Sequence, residues 1–216
     1  MTLHNDRRWP EVTALVKINQ EKEEANYDKP LVAMLDTIYQ EDQGLRRQIE
    51  DIQKKSGYDS EEMREHWKKI MTADSINLIK IKKILDERGW LGDSIIGEQG
   101  NQTLFLVIQH SDLKTQEQYL PMMREAVKDG NADSGSLALL EDRVALQQGK
   151  RQTYGSQIGQ NNNGEYYVMP LEDPDNVDKR RAEVGLEPLQ NYLANWGLTW
   201  DVEAYKKKLP KIEEKK

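Results

Sequence analysis

The residues best suited to chemistry lie where apolar runs end. Leu104 to Ile108 are five apolar residues in a row, and they give way at once to Gln109, His110 and Asp112. An imidazole is the side chain whose ordinary titration range suits proton transfer near neutrality. His110 is therefore the candidate general acid or base, with Asp112 or Asp142 to orient it. Arg46 and Arg143 offer a planar fork of donors for an anionic group on a substrate. Gln109, Gln116, Tyr154 and Gln157 are suited to fixing a ligand's orientation. Together these groups predict a metal-independent hydrolase or transferase, or the same groups holding a small polar or anionic ligand without chemistry.

Spacing groups these residues into patches. If the helix of the apolar run continues through residue 116, Gln109, Asp112 and Gln116 share a face at i, i+3 and i+7, with His110 about one hundred degrees away on a more buried side. Asp42 and Arg46 form an i, i+4 pair; Asp74 and Asn77 are i, i+3. Asp142 and Arg143 close the run "LALLE", and Tyr154, Gly155 and Gln157 share a β-prone stretch. Each patch has a plainer explanation. Asp–Arg pairs at helical spacing are ordinarily surface salt bridges of small value. Asp112 is a good N-cap, and a histidine after an apolar run is ordinarily a hydrogen-bonded core residue. His66 reads as a residue on an exposed, charged turn. The second hypothesis is therefore structural: an interaction protein whose buried polar network only fixes helix packing.

Other chemistries lack their motifs. The chain has no cysteine, which removes disulfides, Cys-ligated metal and thiol catalysis. No H-x-x-x-H or H-E-x-x-H spacing points to a metal, so no metal and no cofactor is expected. G-x-x-x-x-G-K, G-x-G-x-x-G and G-x-S-x-G are all absent from the sequence. A net charge of −7 and a pI near 5.2 disfavour nucleic acid and anionic membranes as partners. Mean hydropathy is −0.87, and no run approaches the roughly 18 apolar residues that span a bilayer. "MTLHNDRRWPEV" carries no apolar signal region, so the expectation is a soluble protein, cytoplasmic or exported after removal of a signal not present in this chain. Oligomeric state is left open.

The elements that must position these groups are helical almost throughout. "KPLVAMLDTIYQEDQGLRRQIEDIQKK" sets Leu31, Met34, Leu35, Ile38, Leu45, Ile49 and Ile52 near one face, which predicts one long helix from Pro30 to "SGYD". The next begins at Asp59 or Ser60 and ends at Gly89. "GWLGDSIIGEQGNQ" reads as a loop. A helix over 115–128 contains Pro121, and another over "LALLEDRVALQQGK" is closed by Gly149. Gln152 to Ile158 and Glu165 to Leu171 then read as a hairpin around "GQNNNG". "DPDNVDKRRAEVGL" and "PLQNYLANWG" are short helices, and the last dozen residues read as loose. The fold class is mainly α, a single-domain helical bundle-like core with a small β-hairpin in the C-terminal third. The expected organisation is an N-terminal extension at 1–29, a helical domain at 30–195 with the hairpin at about 151–171, and a C-terminal tail at 196–216.

The segments "DQGLRR", "MTADSINLIKIKKILDERGW", "LVIQHSD", "LLEDRVALQQGKRQTYGSQ" and "VDKRRAEVGLEPLQNY" occur in an order that resembles a bacterial family of unknown function. Its marks are Q-H-x-D, then D-R, then Y-G-[ST]-Q. The likeness covers residues 31 to 193, and Ser156 fills the small hydroxyl position. It implies a bacterial origin and no particular activity. It also implies that Asp42, Arg46, Asp74, Asn77, Gln109, His110, Asp112, Gln116, Asp142, Arg143, Tyr154 and Gln157 are the positions that matter, the same patches that spacing picks out.

Overall fold

Apolar spacing becomes ten α-helices and one hairpin among the residues that the computed structural model describes, 6–161 and 163–213. Residues 1–5 of the expected extension, Asn162 of the hairpin loop and 214–216 of the expected tail lie outside them. The chain is mainly α, as the periodicity predicts. It divides into two compact units, one of residues 1–83 and 91–104, the other of 84–90 and 105–216.

The first unit opens with α1 (Trp9–Glu23), which buries none of its residues. A short 3-10 turn leads to α2 (Lys29–Arg46), where Pro30 sits in the first turn and Asp28 caps by accepting from the Leu31 N–H at 3.2 Å. The expected long helix stops here. Arg47 and Gln48 separate α2 from α3 (Ile49–Ser56), and the Gln48 amide turns back to the Gly44 carbonyl at 3.0 Å, satisfying a carbonyl at the frayed end. Gly57, with φ of 88°, ends α3. Ser60 caps α4 (Glu61–Arg88) through Met63 N–H, and Gly89 ends it at φ 72°, as the sequence predicts.

The stretch read as a loop is mostly helix. α5 runs from Asp93 to Gln109 across a kink at Gly97, whose φ of 71° and ψ of 164° only glycine adopts without strain. Gly100 leaves room for Leu35, whose Cδ1 lies 3.2 Å from where a Cβ would stand, so α2 approaches α5 closely. Leu31, Leu35, Ile38, Met63, Ile70, Ile81, Ile96 and Leu104 are among the unit's buried residues. His66 is also buried; its Nε2–H donates to the Leu45 carbonyl at 2.8 Å. The exposed turn expected for it is wrong because His66 falls one turn before Ile70 on the inner face of α4.

In the second unit α6 (Leu113–Lys128) packs on α7 (Ser134–Gln147). The helix of the apolar run does not continue through residue 116. It ends at Gln109, and Asp112 caps α6 by accepting from Thr115 N–H at 2.8 Å, so the common face for Gln109, Asp112 and Gln116 is lost. The hairpin is shorter than the β-prone stretches: β1 (Ile158–Gln160) pairs antiparallel with β2 (Tyr166–Val168), Ile158 opposite Val168. Residues 153–157 form an irregular loop instead, and Gln152 alone bridges Leu171. α8 (Val177–Glu183) and α9 (Leu189–Ala194) follow. The expected loose end is helix: α10 (Val202–Glu213) buries Tyr205 and Leu209 beside Val168, Leu171, Val177, Leu189 and Leu193.

Candidate functional site

Each unit gathers its own set of the predicted residues. In the first, α2's buried stripe of Leu31, Leu35 and Ile38 continues one turn on as Asp42, which is 1% exposed. Arg46 donates to Asp42 Oδ1 at 2.9 Å and to Asp74 Oδ2 at 2.8 Å. One guanidinium therefore holds a carboxylate from each of two helices, the bidentate role that lysine cannot copy. On α4 the inward face reads Met63, His66, Ile70, then Asp74 and Asn77, then Ile81. Two polar residues interrupt an otherwise apolar stripe at its middle. Asp74 Oδ1 and Asn77 Nδ2 are both buried and have no hydrogen-bond partner among the described residues. Lys80 donates to Glu41 at 3.2 Å and, more weakly, to Asn77 Oδ1 at 3.4 Å.

In the second unit the helix-end carbonyl of Gln109 is the first meeting point. It accepts from Gln116 Nε2 at 2.9 Å and from Arg143 at 3.0 Å. Gln116 also donates to the Ser111 carbonyl and accepts from Gln147. Gln116 thus ties the end of α5, the start of α6 and α7 together. The Gln109 side-chain Oε1 is buried without a partner.

The second meeting point is Asp142, fully buried on α7. Its Oδ1 accepts from the backbone N–H of Thr153 at 2.6 Å and of Tyr154 at 3.0 Å; its Oδ2 accepts from Ser156 N–H at 2.9 Å. Burial pushes its carboxyl above the ordinary value, against the pull of those N–H groups. The same loop is held from outside. Arg181, 1% exposed, donates to the Tyr154 and Glu187 carbonyls and lies over the Tyr192 ring; burial lowers its pKa. Tyr192 donates to the Ser156 carbonyl at 2.7 Å, and Arg180 donates to that of Thr153. Within the loop Gln152 accepts from Gln157 N–H and donates to the Gln157 and Met169 carbonyls. Gln157 turns its amide to Ser156 Oγ at 3.1 Å. Tyr154 is half-buried, and burial raises its hydroxyl.

The structure therefore brings Asp42, Arg46, Asp74 and Asn77 together in one unit. In the other it joins Gln109, Gln116 and Arg143 around a helix end, and Asp142, Tyr154 and Gln157 around a loop. His110 is half-buried and Asp112 exposed. Arg180, Arg181, Gln152 and Tyr192 were missed. Arg180 and Arg181 stand in "VDKRRAEVGL", where two adjacent cations on a seven-residue helix signal that one of them faces inward.

The match to known families decides what this arrangement belongs to: residues 20–206 fit a family of unknown function (DUF6624). The chain belongs to that family. No curated protein and no solved structure matches it. The DUF6624 span takes in every residue of both polar groups, while most of α1 precedes it. Among the described residues no cluster of three or more histidine or carboxylate groups is placed to hold a metal ion. No helix among them is long and apolar enough to cross a membrane.

Proposed function

We propose that this DUF6624 chain binds a small, uncharged polar ligand at the Asp42–Arg46–Asp74–Asn77 centre of its first unit. The observation that carries the reading is the pair of orphaned atoms. A buried polar group without a partner costs roughly 1–3 kcal/mol, and α4 has one acceptor and one donor in that state at adjacent positions on its inward face. A group that donates to Asp74 Oδ1 and accepts from Asn77 Nδ2 satisfies both. A primary amide or a vicinal diol does so. An anion is disfavoured, because Asp42 and Asp74 already surround the one arginine. The ligand class is thus narrower than the polar or anionic one expected from the sequence.

Binding without chemistry is the reading adopted, and a metal-independent hydrolase with His110 as general acid or base is the finer alternative. Asp142 commits both oxygens to loop N–H groups, and Asp112 commits Oδ1 to its cap. The Asp142 geometry favours structural work over the orientation of an imidazole. For the second unit the structural reading is therefore favoured by a specific observation, the saturated loop around Asp142.

The test is thermal stability and side-chain NMR of the parent and of Asn77→Leu, with acetamide, glycerol and glucose as probes. Under the binding reading a probe shifts the Arg46 and Asn77 side-chain N–H signals of the parent, while Asn77→Leu raises the melting temperature without ligand and abolishes the shift of the Arg46 signals. No probe moving those signals, together with a destabilised Asn77→Leu, would refute it.

A further inference from the structure

α1 exposes Val12, Leu15, Val16 and Ile18, at 46%, 59%, 51% and 46%. Val12, Leu15 and Val16 are at i, i+3 and i+4, so they form one stripe. A helix of 15 residues alone in water is marginal. A helix that keeps an apolar stripe and buries nothing in its own chain is made to be covered by something else.

The same unit has an uncovered groove of matching chemistry. Between α2 and α4 lies an open hollow of about 630 Å³. Gly44 and Leu45 from one helix and Thr72, Ala73 and Ile76 from the other line it. The small residues let a third helix approach closely, and Ile76 is 50% exposed. Met34 and Ile79, also exposed, extend the apolar surface along the same faces. Glu41 and Lys69 stand at the rims, while Glu11 and Lys17 flank the stripe of α1. Lys69 thus has Glu11 as an opposite charge to meet, while Glu41 already accepts from Lys80.

α1 does not lie in the groove of its own chain. Tyr27 is wedged against Gly97, its ring 3.2 Å from where a Cβ would stand. Asp28 N–H donates to the Ile95 carbonyl at 2.9 Å, and its side chain caps α2. The connector is anchored at its α2 end, and the stripe of α1 is open. We propose that the chain forms a two-fold homodimer in which α1 of each copy lays Val12, Leu15 and Val16 into the α2–α4 groove of the other. Reciprocal exchange covers both stripes and both grooves, the closed arrangement that an isologous contact requires.

The absence of cysteine makes the test clean. The Leu15→Cys, Ile76→Cys double variant is oxidised at micromolar concentration and run without reductant, beside light-scattering mass measurement of the parent, Leu15→Asp and Ile76→Asp. The expected results are a parent mass of twice 25.1 kDa, a covalent dimer from the double variant, and monomers from both aspartate variants. Mixing the two aspartate variants restores a weaker dimer, since one intact helix and one intact groove remain. A monomeric parent overturns the proposal. So does a disulfide formed within one chain, which means that α1 folds back. A dimer unaffected by Ile76→Asp also overturns it, because α1 then docks elsewhere. If Ile76→Asp does not fold, Leu15→Asp decides, since Leu15 touches no core.

Discussion

Asp142→Asn removes one acceptor from a carboxylate whose oxygens are fully used, and the size of the loss follows from the geometry. Asparagine keeps one oxygen, which still serves Thr153 and Tyr154 N–H. Its amide NH₂ replaces Oδ2 and meets Ser156 N–H, formerly bonded at 2.9 Å. Donor then faces donor, and Ser156, 5% exposed, has no water to turn to. The orphaned N–H costs about 1–3 kcal/mol, and weakening the remaining bonds from charge-assisted to neutral adds about 1 kcal/mol. Relief of the buried charge offsets part of this. The net destabilisation is about 2–4 kcal/mol, a fall of roughly 5–15 °C in melting temperature for a chain of this size. Calorimetry measures it, and amide exchange over residues 153–156 localises it. The pH dependence supplies a second sign. Folding raises the Asp142 pKa above 3.8, so on raising pH the unfolded carboxyl ionises before the folded one and stability falls through the window just above 3.8. The variant lacks that slope. An unchanged or raised melting temperature at neutral pH would refute the view that this carboxylate organises the loop.

Gly97→Ala forces a side chain onto φ 71° and against Tyr27; a loss of roughly 1–3 kcal/mol is expected. Adding Tyr27→Ala should recover the steric part in a double-mutant cycle. Tyr205→Phe strips the hydroxyl that accepts from Leu171 N–H at 2.7 Å and donates to the Met169 carbonyl at 2.9 Å, and denaturant unfolding should show a loss of about 1–3 kcal/mol. Burial pushes the hydroxyls of Tyr119 and Tyr205 up to about 12. On raising pH the unfolded phenols ionise near 10 while these two stay neutral, so stability should fall between 10 and 12, with a late phase in a tyrosinate absorbance titration. Arg46→Lys should destabilise the first unit measurably, because a lysine cannot bond Asp42 and Asp74 in the same fork.

Local periodicity carried most of the fold, and it failed where one residue outweighed its window. The cap at Ser60, the stop at Gly89 and the close at Gly149 all lie where composition puts them. Gly97 was read as part of a loop because glycine-rich stretches break helices; here a single positive φ kinks a helix that then continues. Asp112 carried two readings, face residue and cap, and backbone satisfaction selected the cap: a new helix begins at Leu113, and its first N–H groups need an acceptor. The β-prone arm at 152–158 is interrupted over 153–157 for a non-local reason. Asp142 supplies acceptors for Thr153, Tyr154 and Ser156 N–H, so those groups need no partner strand, and pairing is kept only at the arm's ends, Gln152 with Leu171 and Ile158 with Val168. No sequence window of ordinary width contains both the loop and the helix that holds it. His66 was misplaced because its neighbours are charged, yet on a helix the neighbours that matter are Met63 and Ile70.

The two polar groups are equally conspicuous in the sequence and differ in their hydrogen-bond accounts. Asp142 has a donor for each oxygen, and Arg181, equally buried, spends its donors on two carbonyls. Such networks fix a loop's shape, and nothing in them awaits a further molecule. Asp74 and Asn77 sit on an inward helix face and keep an acceptor and a donor unused. Leucine at position 77 would extend the stripe from Ile70 to Ile81 and stabilise the core. Retaining polar atoms there costs stability, a cost that the proposed ligand would offset. The proposal puts binding at α4's interrupted stripe and structural work at α7's saturated carboxylate. It also predicts opposite signs for the two substitutions: Asn77→Leu raises the unliganded melting temperature, while Asp142→Asn lowers it. Both variants falling together would mean that the orphaned atoms serve packing after all.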